Sequence, residues 1–314
     1  MAAFPEEVTF RLTSRCDFRC LHCDCWLGGP EPDRLGTAAW KDLVSQLVLW
    51  RGPGWRLHLT GGEPLLAPGF REICAHAAGL GVHVLATTNA SRITRGSLAP
   101  LLGCGLQQLW ISLDGLGPAT HDFSRGRPGA YARAREALDL LLSAAPSAQL
   151  TLGIAAIVME HNLEELPALA EWGAGLGLQV LLHPLVRCGP DWGRLWPRST
   201  DRAVLALERL AALRARGCPI ANSVAQLRLF QRYYRDPESR FLKAVCRSGR
   251  SLRVHPDGTC YLCDFGKDPV GDAGKVPLKR IWGGAAARAR REEIRRCHRA
   301  CVLNQCNFGG AGSS

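Results

Sequence analysis

Three cysteines spaced Cys16-x3-Cys20-x2-Cys23 lie on one short stretch of chain. Thiolates at this spacing can each bind one iron of a four-iron four-sulfur (4Fe-4S) cubane and leave the fourth iron without a protein ligand. A zinc knuckle completed by Cys25 or His22 would use the same stretch. Zinc sites more often draw on two separated pairs of ligands, so spacing alone leaves both chemistries open. A second group, Cys246, Cys260, Cys263, Cys297, Cys301 and Cys306, lies toward the C-terminus. It has thiols enough for one more cluster, or for a structural zinc ribbon built on Cys260, Cys263 and the tail. Cys74, Cys104, Cys188 and Cys218 are scattered singly and read as small buried packing side chains.

The rest of the composition agrees with metal ligation rather than disulfides. The N-terminus MAAFPEEVTF has neither a basic lead-in nor the apolar run of a signal peptide, which predicts a cytoplasmic protein whose cysteines stay reduced. No apolar run approaches the roughly 18 residues that a membrane span needs. The chain has 314 residues, 46% hydrophobic and 21% charged, the balance of a globular protein with a sizeable core. The net charge is +11, and basic residues crowd positions 275–299. Such a run is usually a solvated helix face, although it could attract an acidic peptide. No nucleic-acid-binding motif accompanies it, so nucleic acid is not an expected partner.

The elements that must position these residues alternate. Apolar runs of strand length occupy residues 8–12, 56–59, 82–86, 108–113, 150–158 and 178–185, and segments with apolar residues three and four apart occupy 38–50, 69–80, 130–142 and 163–176. Asn162 followed by Glu165 looks like a helix cap with its partner. Alternating strands and helices imply crossover connections and a parallel sheet, either an α/β barrel or an open doubly wound sheet. Parallel sheets carry their ligand sites at the carboxyl ends of the strands. Polar residues gather there: Thr60-Gly61-Gly62-Glu63, Thr87-Thr88-Asn89, Ser112 with Asp114, and His183 with Arg187. Past the loop at residues 235–245 the chain becomes turn-rich, with a hairpin turn at His255-Pro256-Asp257-Gly258. This divides the chain into residues 1–235 and 240–314.

The cysteine triplet, with His22 before its last member, resembles the signature of the radical S-adenosylmethionine (SAM) superfamily. Gly61-Gly62-Glu63-Pro64 is similar to the family's GGEP segment, Thr88-Asn89-Ala90 to its TNG with alanine for glycine, and Ser112-Leu113-Asp114-Gly115 to its fourth-strand segment. The resemblance covers residues 8 to about 190. It implies an α/β fold, a partial (β/α)6 TIM-like barrel. It also implies a 4Fe-4S cluster on Cys16, Cys20 and Cys23, with SAM bound by Gly61, Gly62, Glu63, Asn89, Ser112, Asp114 and Arg125. Cys246, Gly258 and Cys263 resemble the opening of a SPASM or twitch extension. That implies one auxiliary 4Fe-4S cluster on Cys246, Cys263, Cys301 and Cys306.

The function so implied is reductive cleavage of SAM to a 5′-deoxyadenosyl radical that abstracts hydrogen from a peptide, leading to dehydrogenation, epimerisation or crosslinking. The alternatives are a dehydrogenase or epimerase of a sugar or aminocyclitol, and a non-catalytic metal-binding scaffold. The intact GGEP argues against the scaffold. An electron donor such as flavodoxin or ferredoxin is implied. With the triplet starting at residue 16, a preceding peptide-recognition domain is not expected, so a peptide would need a separate recognition protein or this chain's own surface. An epimerase needs a hydrogen-atom donor, for which Cys188 and Cys260 are the candidate catalytic thiols. Replacing Cys16, Cys20 and Cys23 by alanine should abolish SAM cleavage and lower reconstituted iron from about eight to about four per chain. Unchanged iron content would refute the ligand assignment.

Overall fold

The computed structural model describes residues 3–27, 33–144, 149–187, 191–239, 242, 246–263, 265 and 268–297. Six strands, β1 (Glu7–Arg11), β2 (Arg56–Thr60), β3 (His83–Thr88), β4 (Gln108–Ser112), β5 (Thr151–Val158) and β6 (Gln179–Pro184), pair in parallel and in sequential order. Sequential order distinguishes the barrel type from the doubly wound sheet, whose strand order reverses at a switch point. The sheet is curled, because Thr9 of β1 and His183 of β6, five strands apart, line one cavity.

Side-chain alternation gives the curled sheet two different faces. Val8 and Phe10, Leu57 and Leu59, Val84 and Ala86, Leu109 and Ile111, Ile154 and Ala156, Val180 and Leu182 are all buried in the main core. They point outward against the helices, since successive strand residues face opposite sides. The intervening positions, including Thr9, His58, Thr87, Trp110 and Leu181, line the cavity. The outer layer begins with α1 (Thr37–Arg51), α2 (Phe70–Gly79), α3 (Arg95–Leu102), α4 (Pro118–Arg125), α5 (Ala130–Ala144) and α6 (Glu165–Gly175). It continues with α7 (Trp192–Leu195), α8 (Thr200–Ala215) and α9 (Val224–Arg235). No helix among the described residues is long and apolar enough to cross a membrane.

The Asn162 and Glu165 pair does not cap α6 as the spacing predicts. Asn162 accepts from the Met159 N–H and donates to the carbonyls of Asp114 and Ile157. Glu165 accepts from the Leu116 N–H at 2.7 Å. Both side chains hold the loop after β4, because that buried loop offers unpaired backbone groups that the solvated helix start does not.

The C-terminal strands extend the same sheet. β7 (Ser251–Val254) pairs in parallel with β1, and β8 (Thr259–Tyr261) and β9 (Gly271–Asp272) follow antiparallel. The predicted hairpin turn is present, with Gly258 at φ +90° and its N–H donating to His255 O at 2.9 Å. α10 (Leu278–Gly283) and α11 (Ala285–Arg295) close the described chain. Of the scattered cysteines, Cys74 and Cys104 are buried and hydrogen-bonded to one another. Cys188 lies outside the described residues.

Phe10 is fully buried and its ring centroid lies 4.9 Å from that of Trp40 on α1. Phe10→Ala should therefore destabilise the protein by about 3–5 kcal/mol, read as a shift in the urea unfolding midpoint with SAM cleavage retained at low denaturant. A midpoint unmoved by the change would place the β1–α1 seam outside the cooperative core.

Candidate SAM and iron–sulfur site

The loop after β1 carries the cysteine triplet, and the segment after β2 holds it through the backbone. The Gly62 N–H donates to Thr13 O and the Glu63 N–H to Arg15 O, both at 2.8 Å. A Cβ on Gly62 would sit 2.3 Å from Arg15 O, and one on Gly61 2.5 Å from Thr13 O. These glycines are glycines because two backbones touch. Gly126 does the same from the far side: it ends α4 at φ +58°, and a Cβ there would lie 2.2 Å from Arg19 O.

The Glu63 carboxylate turns inward and is 1% exposed. It accepts from Thr88 Oγ1 at 2.6 Å, the Asn89 N–H at 2.8 Å and the Leu65 N–H at 3.1 Å. Burial pushes its pKa up to about 7 against those bonds. Asn89 in turn donates through Nδ2 to Asp17 Oδ1 at 3.0 Å and lies 3.9 Å from Cys16 Sγ. The alanine at the family's glycine position, Ala90, adopts φ +64°, a left-handed conformation that costs roughly 1–2 kcal/mol for a residue with a Cβ.

On the other side of the triplet, Arg125 and Asp114 form a buried ion pair at 2.8 Å. Asp114 also accepts from Ser124 Oγ at 2.7 Å and the Ile157 N–H at 3.1 Å. Burial pushes its carboxyl up, but Arg125, then His22, His121 and the Ser124 bond bring it down to about 2. The Arg125 guanidinium also hydrogen-bonds Cys20. Burial lowers His22 to about 3, His121 to about 4 and His183 to about 4, so all three imidazoles are neutral near pH 7.

The triplet fits a cluster better than a single ion. A zinc ion with bonds of about 2.3 Å draws its sulfurs to within about 4 Å of one another. Among the described residues, the group of three candidate ligand atoms lying within 4.8 Å is Cys23, Asp24 and Cys25, not the triplet. Cys20 instead packs with Phe18 and Ala130, with Cys16 and Cys23 against them. Burial lifts Cys16 to about 11 and raises Cys20, while Cys23 is raised by its bond to Cys25 and by burial. Irons that displace these protons supply the positive charge the buried thiolates need.

Ser112, Arg125, Thr60, His22 and His183 line the cavity of about 420 Å³ inside the barrel. Gly61, Gly62, Glu63, Asn89 and Asp114 are not among the residues that line it; Glu63 and Asn89 hold the cysteine loop and Asp114 holds Arg125. Sequence reading placed Thr87 at the ligand-binding rim but missed Thr9, His58 and Trp110, which line the cavity with it. Strand alternation was the signal that could have found them. His58 Nε2 lies 3.0 Å from Thr87 Oγ1, and the Trp110 ring lies across Gly153, where a Cβ would be 2.3 Å away.

The second cysteine group divides. Cys246 precedes β7 and Cys263 follows the antiparallel β8, so both lie at the same end of the hairpin, the end where β1 starts and opposite the triplet. Cys260 pairs with Val254, and Val254 with Phe10. It therefore faces the helices, 0% exposed, with burial raising its thiol to about 12. A hydrogen-donor role for Cys260 meets this obstacle: paired strand residues share a face, and this face is the one away from the cavity. Cys301 and Cys306 lie outside the described residues.

Residues 10–173 match the radical SAM superfamily, and residues 246–307 match the SPASM iron–sulfur cluster-binding domain. GTP 3′,8-cyclase 1 of Pseudomonas aeruginosa is 31% identical over 276 residues, 82% of this chain and 79% of that one. Mycofactocin maturase MftC of Mycobacterium ulcerans is 31% identical over 205 residues, 64% of this chain and 54% of that one. This chain thus spans about half the length of the curated relatives it first matches. SuiB of Streptococcus suis, solved with its precursor peptide SuiA, superposes with a TM-score of 0.71 at 15% identity, covering 99% of this chain and 72% of that one.

Glu63→Gln should weaken SAM binding and lower thermal stability together, because it loses a charge-assisted bond to the Asn89 N–H worth roughly 1.5–3 kcal/mol. Weaker SAM binding with unchanged melting would instead mean that the carboxylate meets SAM directly. Asp114→Asn should cost about 3–5 kcal/mol by leaving Arg125 buried and unpaired. In the unmutated protein the Asp114 carboxylate, depressed by folding, contributes stability above about pH 4, and this is lost as pH falls toward 2. The variant's acid unfolding curve should be correspondingly flatter, and an identical curve would rule the ion pair out as a source of stability.

Proposed function

The chain belongs to the radical SAM superfamily, and on that premise we propose that it abstracts a hydrogen atom from a residue of a peptide substrate. When bound, the cluster on Cys16, Cys20 and Cys23 supplies the electron that splits SAM into methionine and a 5′-deoxyadenosyl radical.

The chain's own residues bind, orient and exclude water. Glu63 and Asn89 keep the cysteine loop in place from one side, and Asp114 holds Arg125 at the cavity wall beside Cys20 from the other. In this reading Arg125 receives the SAM carboxylate and Ser112 a hydroxyl of its ribose; both line the cavity. Leu85, Trp110, Ala155, Ile157, Leu181 and Leu185 supply apolar wall between the polar groups of the cavity, and an enclosed site protects a radical from solvent. The auxiliary cluster belongs to the C-terminal region, and we assign it Cys246, Cys263, Cys301 and Cys306 as ligands. Cys246 and Cys263 flank the β7–β8 hairpin at the end of the strands opposite the triplet, and a cluster held there would serve as an electron acceptor for the substrate radical.

The observation that carries the peptide reading is the company the chain keeps. SuiB is seen with a precursor peptide, and the maturase MftC is 31% identical. A cavity of about 420 Å³ suits SAM and one target side chain, leaving the rest of a peptide outside. Reconstituted, reduced protein given SAM should yield 5′-deoxyadenosine. Given in addition a deuterated short peptide encoded beside its gene, it should place deuterium in that product. Deuterium arriving from a sugar or aminocyclitol and not from a peptide would replace the substrate class, and no 5′-deoxyadenosine would leave only the scaffold.

A further inference from the structure

Two thiols outside the SAM site meet in the outer layer of the barrel. Cys74 lies on α2 and Cys104 in the turn between α3 and β4. Both belong to the main core, Cys74 0% and Cys104 5% exposed, and their side chains share a hydrogen bond. The backbones beneath them are close as well. A Cβ on Gly105 would lie 2.6 Å from Ala78 Cβ, 3.8 Å from Cys74 O and 3.9 Å from Ala75 Cα, so the turn rests directly on the part of α2 that carries Cys74. Either thiol alone would be ordinary core packing; what sets these two apart is that they touch. A disulfide asks for a specific separation and angle, and Cys104, standing between Gly103 and Gly105, has a backbone free to make the small adjustment.

The pair is not sealed from reagents. α3 contains Pro100 and buries one of its eight residues, Leu101, which makes it an element that opens locally at low cost. Cys104 follows the end of this helix and is tied to it by its thiol, which donates to Leu101 O at 3.0 Å. Opening α3 therefore uncovers Cys104 before Cys74, which is anchored in the longer α2. Cys104 is also the thiol whose ionisation is favoured, because the bond from Cys74 lowers its pKa and Arg71 adds to the effect, and the thiolate is the attacking form.

We propose that Cys74 and Cys104 form a reversible oxidation site, a dithiol that a small disulfide of the glutathione class converts to a disulfide stapling α2 to the α3–β4 turn. The Cys104 thiolate attacks one sulfur of the small disulfide and releases one thiolate. The Cys74 sulfur, giving up its proton, then attacks Cys104 Sγ and releases the second. Two protein thiols are oxidised to one disulfide, one small disulfide is reduced to two thiols, and the two cysteine protons end on those thiols. The new bond closes the stretch from 74 to 104 and so removes freedom from the unfolded chain. It lies at the end of the barrel where β4 begins, away from the cysteine triplet that follows the carboxyl end of β1, and it stabilises the barrel wall without entering the SAM site. The proposal does not depend on the SAM-cleaving reading.

To test it, reconstituted holoenzyme is incubated anaerobically with oxidised glutathione, remaining thiols are alkylated in denaturant, and the tryptic peptides are identified by mass spectrometry. The peptides carrying Cys74 and Cys104 should be recovered joined, and dithiothreitol should separate them. The melting midpoint should rise by about 3–8 °C on oxidation and fall back on reduction, with no rise in Cys104→Ala. In Cys74→Ala, where the second attack cannot occur, Cys104 should instead retain glutathione as a mixed disulfide. Recovery of both cysteines alkylated once exchange has reached equilibrium, glutathione left on Cys104 in the unmutated chain, or the same melting rise in Cys104→Ala would each overturn the proposal.

Discussion

A single buried carboxylate holds the upper rim of this barrel together. Glu63 sits at the end of β2, its backbone N–H held by Arg15 O and its side chain receiving Thr88, Asn89 and Leu65. The ends of three neighbouring strands thereby share one anchor, and the cysteine loop is laid across it. The cost is a carboxylate out of water, visible in its pKa of about 7. Three donors offset that cost, since a buried charge is tolerated only where its lone pairs are satisfied. The glycines on either side of the loop follow from the same constraint. Gly62 and Gly126 let two further backbones approach at distances no side chain permits.

The opposite wall of the site uses the same device with both signs present. Asp114 compensates Arg125, and Arg125 faces Cys20 and the cavity. A guanidinium placed there alone would pay for burial without return. With Asp114 behind it, the group remains fully charged and rigid, and neutral His22 and His183 leave its charge undiluted. The residues around the chemistry thus fall into a layer that touches the cavity and a layer that holds the first in place.

The nine-stranded sheet also separates the two cysteine groups. The triplet follows the carboxyl end of β1, while Cys246 and Cys263 flank the β7–β8 hairpin at the end where β1 begins. A cavity lined by residues along the length of the strands lies between those ends. Pairing β7 to β1 gives the C-terminal strands their place through backbone hydrogen bonds.

Much of this was legible in the chain before any coordinates. The triplet, the GGEP segment and the regular pitch of strands pointed to a SAM-binding barrel, because local spacing determines which groups can share one loop or one strand end. The six strands lie within a few residues of where alternation and apolar runs placed them. Roles that depend on direction were not legible. Glu63 and Asp114 stand three and two residues past the ends of β2 and β4, and both carboxylates are buried. Which way a side chain turns is decided by the partners that tertiary folding brings, here Thr88, Asn89, Ser124 and Arg125, up to 26 residues away in sequence. Cys260 shows the same limit from the other side. Its spacing from Cys263 suited a ligand or a donor, but the register of β8 on β7 and of β7 on β1 turned it toward the helices. Sequence spacing determined what could come together, and strand register, which is settled only when the sheet closes, decided which face each group would serve.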